Sequence, residues 1–176
     1  FVKIAGARPY YDTALAIKAG ADVVVLDGMQ GGTAATQEVF IENVGQPTLA
    51  CIRPAVDALQ DLDMHREVQL IISGGIRNGA DVSKALALGA DAVSIGSAAM
   101  IAIGDNDPKW EKEYKKLGTK VGAYDDWHEG NDPAGISTQN PKLMKRLDPK
   151  KAGKKLSNYL KVMTLEAQTI ARACGK

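Results

Sequence analysis

The sequence predicts an α/β fold, the C-terminal part of a TIM-type (β/α)8 barrel with about five strand–helix units. Short apolar segments alternate with helical segments about every 22–25 residues, which is typical of parallel strands covered by helices. The tripeptide Gly-Ala-Asp opens two strands, at Gly20 and Gly89, and indicates a repeated unit. Glycine-rich loops follow several of the strands. A doubly wound open sheet is the competing architecture, because about five strands cannot close a barrel of eight.

The predicted strands are short and apolar. They cover Phe1–Ala5, Asp22–Asp27, Pro47–Ile52, Val68–Ser73 and Asp91–Ile95. The predicted helices cover Tyr10–Ala19, Ala34–Asn43, Arg53–Met64 and Asp81–Leu88, and a short helix begins near Ala98. Cys51 is therefore expected to be a buried strand residue.

The chain divides by composition into three regions. Residues 1–104 hold the barrel strands, their helices and the glycine loops, residues 105–147 are an irregular polar excursion, and residues 148–176 form a C-terminal extension with a helix. Asp148 and Pro149 suit the N-cap and the first position of that helix. Its apolar residues fall on one stripe, which predicts packing against the barrel or a partner subunit: Leu156, Tyr159, Leu160, Met163, Ala167 and Ile170.

Composition excludes several classes of function. Lys and Arg total 22 and Asp and Glu total 21, so a net charge of +1 gives no reason to expect binding to nucleic acid or an acidic membrane. We find no signal peptide and no apolar run near the roughly 20 residues of a membrane span, so the cytoplasm is expected. Two cysteines are too few for a disulfide framework or a cysteine-only metal site. Because the chain opens on a strand without a start methionine, we expect it to be a piece of a longer protein.

Two glycine loops form the strongest local signal. Ser73-Gly74-Gly75 follows one predicted strand and Gly96-Ser97 follows the next. At the carboxyl ends of adjacent barrel strands, the backbone N–H groups of such loops can bind a phosphate. Glycine lets the backbone approach the phosphate oxygens. The alternative is a pair of tight turns with no ligand.

Lys3 and the loop Gly28–Thr33 are further candidates. Lys3 lies near the end of the first predicted strand, and a lysine inside a barrel needs a negative partner, for which the electron-rich edge of a flavin would serve. The loop carries three glycines, which permit close approach to a flat ligand. A solvent-exposed lysine and a generic flexible loop are the alternatives.

Three segments resemble the FMN-binding synthase domain of the glutamate synthase family. They are Asp27-Gly28-Met29-Gln30-Gly31-Gly32-Thr33, the segment from Ser73 to Val82, and the segment from Ala85 to Val93. The resemblance runs from Phe1 to about Gly104 and resumes at Gly135-Ile136-Ser137-Thr138-Gln139 and in the tail from Asn158. Within the family, the sequence is most similar to separate FMN subunits, including the methylamine–glutamate N-methyltransferase type.

The resemblance implies a cofactor, a substrate and their residues. It puts Lys3 against the flavin, Gln30 beside the substrate as a second catalytic position, and the FMN phosphate on Ser73-Gly74-Gly75 and Gly96-Ser97. It also implies that Gly31, Gly32 and Thr33 cover the flavin and 2-oxoglutarate. In the family, reduced FMN passes hydride to 2-iminoglutarate, formed from 2-oxoglutarate and ammonia, so the implied activity is reductive amination to glutamate.

The sequence departs from the family pattern in three respects. The family holds a 3Fe–4S cluster on cysteines, the last of which lies in a Cys-Pro-x-Gly run. Here that run reads Asp132-Pro133-Ala134-Gly135, and the preceding cysteine position falls on Trp127. We therefore expect no iron–sulfur cluster in this chain. Met29-Gln30 replaces the usual His-Asp, which removes a charge near the substrate. No N-terminal glutaminase cysteine is present either, so other subunits are expected to supply nitrogen and electrons.

These departures leave alternatives to glutamate synthesis. One is an N-methylglutamate synthase subunit acting on a glutamate skeleton. Another is a different FMN-binding or phosphate-binding barrel, such as an inosine-monophosphate-dehydrogenase-like enzyme. That family needs a catalytic cysteine in a loop after a strand, whereas Cys51 lies within a predicted strand and lacks the glycine context. The third is a non-catalytic scaffold subunit that keeps the fold.

Overall fold

A computed structural model describes residues 1–28, 43–117 and 131–176. The strands are β1 (Val2–Ala5), β2 (Val23–Asp27), β3 (Gln69–Ser73) and β4 (Ala92–Ser94). The helices are α1 (Pro9–Lys18), α2 (Thr48–Asp61), α3 (Gly79–Ala87), α4 (Ser97–Ile103), a 3-10 turn (Pro108–Trp110), α5 (Glu111–Lys116), α6 (Pro141–Met144) and α7 (Pro149–Ala173). The predicted helix Ala34–Asn43 lies outside the described residues except for Asn43.

The described chain forms two compact units. The first comprises residues 1–96 together with 162–176, and the second comprises residues 97–161, so that α7 contributes to both. No helix among the described ranges combines the length and the apolar character that crossing a membrane would require.

The sheet of the first unit is fully parallel, and its strand order β1-β2-β3-β4 follows the chain. Ala5 lies opposite Asp27, Asp27 opposite Ser73, and Ser73 opposite Ser94, so the carboxyl ends of the four described strands share one rung. A doubly wound sheet reverses its strand order at a switch point, whereas the strands of a barrel follow one another around the axis. The order observed is consistent with part of a TIM-barrel-type domain.

One face of this sheet carries the core. Val24, Leu26, Leu70 and Ile72 are fully buried, and α1, α2 and α3 pack over them. Because side chains alternate along a strand, the neighbouring residues point to the opposite face. That opposite face carries Lys3, Ala5, Val25, Asp27, Ile71 and Ser73. We refer to these six residues as the open face.

The predicted strand Pro47–Ile52 is wrong, because Thr48 begins helix α2. The apolar run is too short for periodicity alone to separate strand from helix, and the helix predicted from Arg53 starts five residues too late. A proline inside a helix costs about 3 kcal/mol. Burial of the helix face offsets that cost: Cys51, Ile52, Ala55, Val56 and Leu59 are 0–1% exposed. The described residues therefore hold four strands rather than five, and Cys51 is buried on a helix.

The C-terminal helix confirms its predicted position and cap. The Asp148 carboxylate accepts hydrogen bonds from the backbone N–H groups of Lys150 and Lys151 at 3.0 and 3.2 Å. Met163 is buried, and Leu160 is 38% exposed at the edge of the stripe. In the first unit, the backbone N–H of Gly79 donates to Glu166 Oε2 at 2.7 Å, so a carboxylate of α7 caps the N-terminus of α3.

The second unit is organised around a buried carboxylate. Asp132 is fully buried, and it accepts hydrogen bonds from the backbone N–H groups of Ala134, Ile136 and Ser137 at 2.7–2.8 Å. The hydroxyl of Tyr114, itself fully buried, donates to Asp132 Oδ1 at 3.3 Å. Burial, and then the charge of Asp132, raise the pKa of Asp105 above its usual range.

Candidate functional site

Three polar side chains meet on the open face at the carboxyl ends of the strands. Lys3 on β1 makes an ion pair with Asp27 on β2, with Nζ 2.8 Å from Oδ2. The Ser73 hydroxyl on β3 donates to the same Oδ2 at 3.1 Å. The strand register places Asp27 opposite Ser73 on one side and opposite Ala5 on the other, and Lys3 lies two residues before Ala5 on β1. Neighbouring strands therefore bring the three polar groups together.

The two charges of this pair differ in exposure. The Lys3 side chain is 59% exposed and that of Asp27 is 21% exposed. An ion pair so open to solvent stabilises the fold by no more than about 1 kcal/mol. Asp27 is the negative partner that a lysine on this strand requires, and most of the Lys3 side chain is exposed to solvent.

The strand ends pack closely because glycine occupies Gly28 and Gly74. A Cβ at Gly28 would lie 2.2 Å from Thr48 Oγ1, and a Cβ at Gly74 would lie 2.9 Å from the same atom. The Thr48 hydroxyl donates to the Ser73 carbonyl at 3.4 Å, and the Gly28 N–H donates to that carbonyl at 3.2 Å. Packing against the start of α2 therefore requires glycine at both positions.

The diglycine Gly74-Gly75 turns sharply after β3. Its two residues have φ of +99° and +73°, in the left-handed region that favours glycine. A cavity of about 380 Å³ lies beside it, between the starts of α2 and α3. Its lining includes Thr48, Ile52, Gly74, Gly75, Arg77 and Lys84.

The surroundings of Gly96 and Ser97 differ from those of Gly74-Gly75. Both are exposed; Gly96 follows β4 in the first unit, and Ser97 begins α4 in the second. A Cβ at Gly96 would meet no atom within 4 Å in the described part of the chain. Neighbouring atoms there do not require glycine at this position.

The remaining predicted site residues lie outside the described ranges. These are Gln30, Gly31, Gly32 and Thr33.

Within residues 1–28, 43–117 and 131–176, no group of three His, Cys, Asp or Glu side chains could hold a metal ion. Cys51 is buried, and burial raises the pKa of its thiol, whereas Cys174 is exposed near the chain end. The carboxylate of Asp132 is engaged by backbone N–H groups of its own loop.

Sequence reasoning missed Asp27 as a site residue. The signal was present, because Asp27 is an acidic residue that ends an otherwise apolar strand. What the sequence lacked was the register, which pairs Asp27 with Ser73 and brings Lys3 within reach.

Comparison with known proteins decides the family. Residues 1–108 and 122–176 match the family model described as the conserved region in glutamate synthase. The chain belongs to the glutamate synthase family. A glutamate synthase large subunit-like protein of Rhizobium meliloti is 82% identical over the whole of this chain. An archaeal glutamate synthase (NADPH) of Methanocaldococcus jannaschii is 39% identical over 99% of it.

The relatives are longer than this glutamate synthase family chain. It spans 40% of the Rhizobium meliloti protein and 31% of the Methanocaldococcus jannaschii enzyme. A more distant relative, the glutamate synthase large subunit-like protein YerD of Bacillus subtilis, is 28% identical over 88% of the chain, which spans 26% of that protein.

Proposed function

We propose that this chain forms the FMN-binding part of a glutamate synthase-type enzyme that reductively aminates 2-oxoglutarate to glutamate. The observation that carries the proposal is the Lys3 side chain on the open face, which is 59% exposed and has its ammonium beside the polar ends of β2 and β3. Family membership supports the reaction class. The electron-rich edge of a flavin is a suitable ligand for that ammonium.

The described residues fit FMN in two further respects. Gly74-Gly75 turns at the carboxyl end of β3 with Gly75 exposed, at the edge where barrels of this class bind phosphate. Position 96 is glycine although no atom of the described residues would contact a Cβ there, and a phosphate that must approach the backbone would explain the glycine. We assign Ser73, Gly74, Gly75, Gly96 and Ser97 to FMN.

When bound, FMN would supply the hydride chemistry, and the protein would supply position and charge. Lys3 would place a positive charge at the flavin edge that becomes electron-rich on reduction. The resemblance to the family assigns Gly31, Gly32 and Thr33 to the flavin and the substrate, and Gln30 to the substrate. Other subunits or segments would supply nitrogen and electrons, because the chain spans less than half of its relatives.

Replacing Lys3 tests the assignment in the complete protein. We expect Lys3→Met to weaken FMN binding about two- to fivefold, the effect of losing one partly exposed charge interaction. The measurement is quenching of flavin fluorescence on titration with protein. Lys18→Met, at the exposed end of α1, is the matched control and should bind as the wild type does. A wild-type protein that takes up no FMN would refute the proposal.

A second candidate function is synthesis of N-methylglutamate. Gln30 favours it, because it stands where the family carries an acidic residue beside the substrate. Anaerobic bleaching of bound flavin by N-methylglutamate, but not by glutamate, would assign that product.

A further inference from the structure

The Asp27 carboxylate is held by groups on two other strands. Its Oδ2 lies 2.8 Å from Lys3 Nζ on β1 and accepts the Ser73 hydroxyl on β3 at 3.1 Å. Its backbone carbonyl accepts the Gly6 N–H at 2.6 Å. Asp27 therefore lies at the centre of a line of polar groups that crosses three neighbouring strands.

The surroundings of Asp27 restrict where its carboxylate can go. A Cβ at Gly74 would come within 3.0 Å of Oδ1, so the glycine leaves just enough room for the carboxylate. At 21% exposure Asp27 is also the more enclosed member of the pair, whereas Lys3 is 59% exposed. The long lysine side chain has many rotamers, and an enclosed carboxylate can select one of them.

We propose that Asp27 is the positioning residue of Lys3, and that Ser73 orients Asp27 for this task. Asp27 holds the ammonium at the carboxyl edge of the sheet, and its negative charge keeps the pair close to neutral until a ligand arrives. The role of Lys3 toward FMN rests on the proposed function. The positioning of Lys3 by Asp27 rests on the contacts of these strands alone.

The first test needs no cofactor. In the complete protein without FMN, an ion pair shields the Lys3 nitrogen from an acylating reagent such as sulfo-N-hydroxysuccinimide acetate. We expect Asp27→Asn to raise the acylation rate of Lys3 at least threefold relative to Lys18 in the same molecules, measured by peptide mass spectrometry. Ser73→Ala should raise it less. An unchanged thermal unfolding midpoint of Asp27→Asn shows that the fold is intact.

The second test uses FMN and the double variant. If Asp27 acts through Lys3, then Lys3→Met should change the FMN dissociation constant much less in the Asp27→Asn background than in the wild type. Additive effects of the two substitutions, together with an unchanged acylation rate, would overturn the proposal while leaving FMN binding in place. If Lys3 acylation rises as expected but the wild type binds no FMN, the positioning stands and the proposed function fails.

Discussion

At the residue scale, two aspartates of the chain, Asp27 and Asp132, lie in contrasting environments. Asp27 is partly exposed and faces a lysine, whereas Asp132 is fully buried and faces three backbone N–H groups and a tyrosine hydroxyl. The first leaves most of its partner's side chain exposed to solvent. The second organises the loop from 132 to 137, because a buried carboxylate must be satisfied by donors.

Replacing Asp132 should therefore be costly. Asp132→Asn keeps the shape but replaces an acceptor oxygen with an NH₂ group that faces N–H donors, and we expect a loss of about 2–4 kcal/mol in the free energy of unfolding. Urea unfolding followed by the fluorescence of Trp110, which lies in the same unit, measures it. Asp148→Asn is the control, because Asn caps a helix as well as Asp does, and it should change the free energy by no more than about 0.5 kcal/mol. Equal effects of the two substitutions would contradict this account of Asp132.

At the scale of elements, the sequence predicts parallel strands well and the start of α2 poorly. The segments Asp22–Asp27 and Val68–Ser73 are largely apolar and are each followed by glycine. Both form strands whose bounds lie within one residue of those predicted. Pro47–Ile52 is equally apolar, but it lies against the core as the first turns of a helix. Local pattern cannot separate these outcomes, because the burial of Cys51 and Ile52 against the sheet decides between them.

The contact between α3 and α7 gives a prediction at the same scale. A Cβ at Gly79 would lie 2.4 Å from the Met163 carbonyl and 2.5 Å from the Ala167 nitrogen, both helix backbone atoms that cannot rotate away. We expect Gly79→Ala to cost about 1–3 kcal/mol through this overlap and to speed hydrogen exchange in residues 162–173.

Gly153 provides the matched control on the same long helix. A Cβ there would meet no atom within 4 Å in the described chain, and alanine favours a helix interior over glycine by about 0.5–1 kcal/mol. Gly153→Ala should therefore stabilise the protein slightly. If both substitutions stabilise it, α7 does not pack on Gly79 as described.

At the scale of the whole molecule, the strand order and the open face together support a barrel segment. Helices α1, α2 and α3 cover one face of the sheet, and the other carries Lys3, Asp27 and Ser73 at the strand ends. The glycine loops and Lys3 could be named from the sequence as site candidates. The contacts of Asp27 with Lys3 and Ser73 could not be predicted, because they depend on a register that forms only when β1, β2 and β3 pair.

The most direct test of the central claim is hydrogen exchange of the complete protein with and without FMN, followed by mass spectrometry. We predict that FMN slows exchange in the backbone from Gly74 to Ile76 and at Gly96, and leaves α1 (Pro9–Lys18) unchanged. Binding of FMN that leaves exchange at both glycine loops unchanged would contradict the claim that this edge of the sheet is the flavin site.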